Sequence, residues 1–204
     1  MNNITAAINR MQVNTAFMTP SFGRLIQPKA VPTLKTLAIG GEKLVQEDLD
    51  RWVDKVRLFQ VYGPTETCVI CIGNEVKKRG TNPSKLGSGF IGSYIVLDES
   101  GQLVQPDGVG ELLIGGPHLA RGYLDNPEKT ESSFIATPSC ILTGNTRWER
   151  WYKTGDLVRK NFDDSFSYVA RKEAVSVWFH RFYIHHECFI SPFFHIPPLK
   201  ILYR

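Results

Sequence analysis

Tyr62-Gly63-Pro64-Thr65-Glu66-Thr67 follows the apolar run Leu58-Phe59-Gln60-Val61 and joins an aromatic face, a Gly-Pro turn, a hydroxyl and a carboxylate. Open α/β sheets place ligands at such turns, outside the carboxyl ends of their strands. Thr65 and Glu66 have the chemistry to serve a phosphate and a Mg²⁺ ion, because magnesium is commonly held by one or two carboxylates plus substrate phosphates. Tyr62 offers a ring on which a base would stack. An ordinary polar turn would contain the same residues. A second candidate is Trp151-Tyr152-Lys153-Thr154-Gly155-Asp156-Leu157. A carboxylate after a Gly turn can accept both hydroxyls of a ribose; a bare Gly-Asp turn between strands is the alternative.

Two other patterns fail their context. Gly87-Ser88-Gly89-Phe90-Ile91-Gly92 fits G-x-G-x-x-G, but it precedes a strand-like run instead of opening a helix. Cys68-Val69-Ile70-Cys71 has no second pair at zinc spacing and, read as a strand, sends its thiols to opposite faces, so packed free thiols are expected. His185-His186 with Glu187 and Cys188 lies in an anomalous tail and is set aside.

The elements that must position these residues follow from periodicity. Ile4–Met11 has helical spacing, and Asn14–Thr19 reads as a strand stopped by Pro20. Leu34–Ile39 is a buried-type strand ending at Gly40-Gly41, Leu44–Val56 an amphipathic helix, and Arg57–Tyr62 the next strand. That rhythm predicts a crossover unit with parallel pairing. From about residue 86 the pattern becomes an antiparallel meander. Tyr94–Leu97 and Leu103-Val104 flank a Gly-containing loop, Glu111–Ile114 is a strand, and Phe166–Val169 is a last short one. Asn126-Pro127 marks a helix start. The fold class is therefore α/β: a partial βαβ half-sheet over residues 1–85, then a β-rich subdomain over 86–173.

The chain has 204 residues and a net charge of +4 with no Lys/Arg run, which argues against a nucleic-acid or polybasic membrane surface. No apolar run reaches the roughly 18 residues of a spanning helix. Met1-Asn2-Asn3-Ile4 has neither a basic n-region nor a long apolar h-region, so no signal peptide is expected. Four cysteines do not make a disulfide framework in a chain this long, so a reducing, cytoplasmic location is expected. Residues 174–204 hold 8 of the 23 aromatics, 4 of the 5 histidines and none of the 17 glycines, so they read as a tail foreign to the fold.

Four motifs in order are more specific than any one of them: Leu37-Ala38-Ile39-Gly40-Gly41-Glu42, Val61–Thr67, Gly110-Glu111-Leu112-Leu113-Ile114-Gly115-Gly116-Pro117-His118-Leu119-Ala120-Arg121-Gly122-Tyr123-Leu124, and Tyr152–Arg159. Over residues 4–173 the chain resembles the adenylation domain of nonribosomal peptide synthetases, within the AMP-forming adenylating superfamily. The resemblance implies ATP- and Mg²⁺-dependent activation of an amino acid to aminoacyl-AMP, then loading onto the phosphopantetheine of a carrier domain, with a condensation domain as a further partner. It implies that Gly41, Glu42, Val61 and Tyr62 surround the adenine, Thr65 contacts phosphate, Glu66 holds Mg²⁺, and Asp156 and Arg171 reach the ribose. It places the substrate side chain against Phe17, Ala38, Gly40, Val61, Val69 and Ile70, a wall without charge that suits an apolar amino acid. The family's Ser/Thr/Gly-rich phosphate loop and its catalytic lysine have no counterpart in these 204 residues. After Glu173 the Gln-Val-Lys run of the family gives way to Ala174-Val175-Ser176. A fragment inactive alone is therefore expected. A piece of an acyl-CoA ligase and a non-catalytic remnant are the alternatives.

Overall fold

The computed structural model describes residues 2–141, 147–173 and 201–202. They form two compact units, Met1–Ile91 with Asn161–Ser167, and Gly92–Lys160 with Tyr168–Arg204. All but Ile201 and Leu202 of the anomalous tail lies outside the described residues.

The first unit begins with helix α1 (Asn2–Arg10), followed by strand β1 (Thr15–Met18) and the short helix α2 (Pro20–Arg24). Thr19 caps α2 through its hydroxyl, which accepts from the Phe22 amide, and Pro20 supplies the fixed φ of a first helical position. Strand β2 (Thr36–Gly40), helix α3 (Gln46–Trp52) and strand β3 (Arg57–Tyr62) make the expected crossover, and β1, β2 and β3 pair in parallel. Helix α3 is shorter than the apolar spacing predicts. Asp48 Oδ2 accepts from the Val45 amide at 3.0 Å and fixes the start, so Val45 caps the helix and is exposed. At the other end Val53 and Val56 leave the helix in a closing turn yet still pack on the core.

Strands β4 (Ile72–Val76) and β5 (Lys85–Gly89) extend the sheet antiparallel, and Phe166 and Ser167 pair with Gly87 and Lys85. Sequence reading did not find β4, because Gly73-Asn74-Glu75 interrupts its apolar pattern. One face carries the core: Met18, Leu37, Ile39, Leu58 and Val76 from the strands, with Ile8, Leu49 and Trp52 from the helices. Trp52 and Leu49 are almost wholly buried, each removing apolar area worth about 25 cal/mol per Å².

The second unit is built mainly of antiparallel strands. Strand β6 (Ser93–Leu97) pairs antiparallel with β7 (Val109–Gly115), and β7 with the long β10 (Arg150–Lys160). The turn after β6 is held by Asp98, whose Oδ1 accepts from the Ser100 and Gln102 amides, both at 2.9 Å. Strand β8 (Gly122–Tyr123) precedes helix α4 (Pro127–Ser133), where Asn126 Oδ1 accepts from the Lys129 amide at 3.0 Å as the Asn-Pro pair predicts. Strand β9 (Phe134–Ala136) pairs with β10 on one side. The Tyr168–Arg171 part of β11 (Phe166–Arg171) belongs to this unit, where β11 neighbours β10. The two-residue β12 (Ile201–Leu202) lies antiparallel to β8.

Candidate functional site

In the first unit, strand register gathers the residues expected to face a substrate. Phe17 pairs with Ala38, Ala38 with Phe59, and Gly40 with Val61. These positions alternate with Leu37, Ile39 and Leu58 of the core, so they occupy the opposite face of the sheet. Phe59, which the sequence reading did not single out, shares that face; its signal is the two-residue spacing to Val61. A side chain at position 40 would sit on the carbonyl oxygen of Val61 and 2.9 Å from Val61 Cγ2, so the parallel pair closes this tightly only around glycine.

Val69 and Ile70 reach the same end of β3 through a loop folded back on itself. The Cys71 amide donates to the Tyr62 carbonyl at 3.0 Å. Thr67, fully buried, donates from its hydroxyl to the Pro64 carbonyl at 3.0 Å. A Cβ on Gly63 would meet the Val69 carbonyl oxygen and lie 2.9 Å from Ile70 Cα, which explains the glycine before Pro64. Cys68 and Val69 both have left-handed backbones, φ 57° and 74°, an uncommon and costly conformation for a β-branched valine. The Cys68–Cys71 segment is thus an irregular loop and not a strand: Cys68 is exposed and only Cys71 is packed away. Thr65 and Glu66 lie on the single 3₁₀ turn Thr65–Thr67 at the outer side of the loop, Thr65 exposed and Glu66 half-buried.

Gly41 turns the chain out of β2 with φ 85°, and Glu42 beside it is engaged. Its carboxylate accepts from the Ser21 amide at 3.0 Å and the Ser21 hydroxyl at 2.7 Å. Those hydrogen bonds hold the Glu42 carboxyl below its ordinary range. Ser21 gave no signal in the sequence, because its partner lies 21 residues away.

In the second unit, the Thr-Gly-Asp segment is not a turn between strands but a bulge inside β10. Lys153 pairs with Leu113 and Leu157 with Glu111, so Thr154, Gly155 and Asp156 together face Leu112. Gly155 permits this with φ 69°. The Thr154 hydroxyl donates to the Leu112 carbonyl at 2.8 Å and accepts from the Asp156 amide at 3.0 Å. Asp156 is 8% exposed, and Arg171 Nη1 donates to its Oδ1 at 3.0 Å and to the Thr154 carbonyl at 2.7 Å. The two residues expected at a ribose, 15 apart in sequence, therefore meet across β10 and β11. Tyr168 is a further neighbour: burial first, and Asp156 second, push its phenol up. Beside Asp156, Gly155 and Lys172 both donate to the carboxylate of Glu111.

The model of the AMP-binding enzyme family matches residues 1–124, more than half of the chain. The chain belongs to this family. It is 44% identical over 176 residues to the nonribosomal peptide synthetase atnA of Emericella nidulans, a match covering 85% of the chain and 2% of that protein. It is 44% identical over 169 residues to the NRPS-like tryptophan epimerase fscC of Fusarium equiseti, covering 82% of the chain and 12% of that protein. It spans only a small share of the length of these relatives. Among solved structures it is similar to PA1221, an NRPS protein containing adenylation and PCP domains, with TM-score 0.73 and 26% identity over 82% of this chain and 35% of that one. The four-domain synthetase AB3403, bound to AMP and glycine, gives TM-score 0.71 and 31% identity over 82% of this chain and 13% of that one. The fold is part of an adenylation domain.

No helix among the described residues is long and apolar enough to cross a membrane. Among them no three His, Cys, Asp or Glu side chains gather as a metal cage. A magnesium ion at Glu66 would then take one protein carboxylate and complete its shell with phosphate oxygens and water, the usual arrangement for that ion.

Proposed function

We propose that this chain forms the central part of an enzyme that activates an amino acid with ATP for nonribosomal peptide synthesis. The observation that carries the reading is the buried Asp156 carboxylate on the β10 bulge, held by Arg171. A carboxylate fixed this way is a ready acceptor for two adjacent hydroxyls. In the first unit, Gly41 and Tyr62 end parallel strands at the edge where α/β sheets bind ligands, and they would enclose the adenine together with Val61 and the backbone at Glu42.

In the reaction a carboxylate oxygen of the amino acid attacks the α-phosphorus of ATP. The bond to the β-phosphate oxygen breaks, and pyrophosphate leaves. The product is a mixed anhydride, aminoacyl-AMP. The thiol of a carrier-bound phosphopantetheine then attacks the acyl carbon and AMP leaves. Thr65 would donate to a phosphate oxygen. Glu66 would hold Mg²⁺, which offsets phosphate charge. Positioning and charge stabilisation do most of such work.

The wall of Phe17, Ala38, Gly40, Val61, Val69 and Ile70 has no hydrogen-bonding side chain. Burying a charged substrate group there costs several kcal/mol, whereas an apolar one gains about 25 cal/mol per Å². The substrate is therefore a medium or large apolar amino acid. The test is ATP–pyrophosphate exchange by a complete adenylation domain carrying residues 4–173 of this sequence, across a panel of amino and fatty acids. Exchange stimulated by leucine- or phenylalanine-like amino acids is expected. Stimulation by fatty acids alone, or a preference for Asp, Glu, Lys or Arg, would overturn the reading.

A further inference from the structure

Glu111 is a buried acid in β7, a strand whose neighbouring positions Leu112, Leu113 and Ile114 are apolar core. Its side chain is only 10% exposed, and its two oxygens are divided between two partners. Oε1 accepts from the Gly155 amide at 3.2 Å, and Oε2 from Lys172 Nζ at 2.7 Å. Gly155 directly precedes Asp156, and Lys172 directly follows Arg171. One carboxylate thus grips the residue before the aspartate and the residue after the arginine.

The grip falls where the strand ladder provides least. Three residues of β10 face one of β7 across the bulge, so regular pairing does not fix the Gly155 peptide. Glycine at φ 69° is also the residue with most freedom to rotate its flanking peptides. The acceptor supplied by Glu111 removes that freedom. The Arg171 guanidinium lies over Gly155, with Cζ 3.4 Å from where a Cβ would stand, so the orientation of this peptide also sets the bed of the arginine. We infer that Glu111 is a positioning residue for nucleotide binding: it presets the Asp156–Arg171 pair to receive the ribose diol. The inference rests on the ribose role proposed for Asp156.

The experiment uses the same complete domain and measures pyrophosphate exchange with ATP and with 2′,3′-dideoxy-ATP, which has no diol. For Glu111→Ala, KM for ATP is expected to rise roughly tenfold or more, with kcat falling less, as small misplacements of a positioned group do. KM for the dideoxy nucleotide is expected to change by less than about threefold, because the presented contact is already lost. Glu111→Gln keeps an oxygen for the Gly155 amide and is expected to recover most of the ATP loss; Glu111→Met, which keeps the volume but offers no such acceptor, carries the same comparison if the alanine variant does not fold. Equal losses on both nucleotides would make Glu111 a merely structural residue and overturn the inference, as would an unchanged KM for ATP. Asp156→Ala separates the parent reading. If it impairs both nucleotides equally, the ribose role of Asp156 fails, and the positioning role of Glu111 with it.

Discussion

Replacing Gly40 with alanine tests the close approach of β2 and β3 on which the substrate face depends. The added methyl would stand on the Val61 carbonyl oxygen, 2.9 Å from Val61 Cγ2 and 3.0 Å from the Val61 carbonyl carbon. Ordinary contact distances are about 3.5–4.0 Å, and the obstacle is backbone, so a rotamer change does not relieve it. The end of the parallel pair must open by several tenths of an ångström or more. Overpacking of this kind costs roughly 1–3 kcal/mol, and weakening one or two ladder hydrogen bonds adds about 0.5–1.5 kcal/mol each. A total of about 1.5–6 kcal/mol corresponds to a fall in Tm of roughly 3–24 °C for a chain of this size. Gly101→Ala is the control: Gly101 has φ 77° with open space around it, so it pays only the left-handed conformation, about 1–2 kcal/mol. Thermal melts of both variants, with amide exchange over residues 36–40 and 57–62, give the comparison. A Gly40→Ala variant no less stable than Gly101→Ala, with unchanged protection in β2 and β3, would refute the reasoning.

Arg24 binds the buried Asp48 through two hydrogen bonds of 2.7 and 2.8 Å, and its guanidinium holds the Asp48 carboxyl below the ordinary range. The sign follows: this stabilisation is present above the unfolded carboxylate pKa of about 3.9 and is lost as pH falls through the folded value. Arg24→Met should therefore lower Tm more at pH 7 than at pH 3, and equal losses at both would contradict the pairing. Ser21→Ala removes the hydroxyl donor, the first cause of the depressed Glu42 carboxyl, and leaves the amide in place, so an NMR titration should show that carboxyl moving up; no movement would remove the hydroxyl from the link between α2 and the turn after β2. Ala38→Asp places a carboxylate on the substrate face, and in the complete domain it should shift exchange from apolar toward basic amino acids by tenfold or more, as one unpaired charge dictates. An unchanged preference would remove Ala38 from the pocket wall.

Much of this architecture was legible in the sequence because its signals are local. The run Leu37-Ala38-Ile39-Gly40-Gly41 and the run Leu58–Tyr62 carry their own periodicity and their own stops. The Asn126-Pro127 cap likewise states a helix start within three residues. What escaped is set by partners far away in the chain. The helix α3 starts where Asp48 caps it and not where the apolar spacing begins. Strand β4 gains its place from pairing with β3 and not from its own Gly-Asn-Glu. At the candidate site, Asp156 is singled out by its type after a Gly turn and Arg171 only by the family resemblance, and the bulge that presents Asp156 depends on register against β7. Glu111 and Lys172, 61 residues apart, acquire a role only once three strands are assembled.

The most direct measurement follows oxygen during turnover. A complete adenylation domain carrying this sequence, with its carrier domain, is supplied with ATP and an apolar amino acid labelled with ¹⁸O in its carboxylate. If the carboxylate attacks the α-phosphorus, thioester formation leaves one labelled oxygen on the departing AMP, and mass spectrometry will find AMP heavier by one ¹⁸O with unlabelled pyrophosphate. Label in inorganic phosphate with ADP as the nucleotide product, or no amino-acid-dependent label in AMP, would contradict the account.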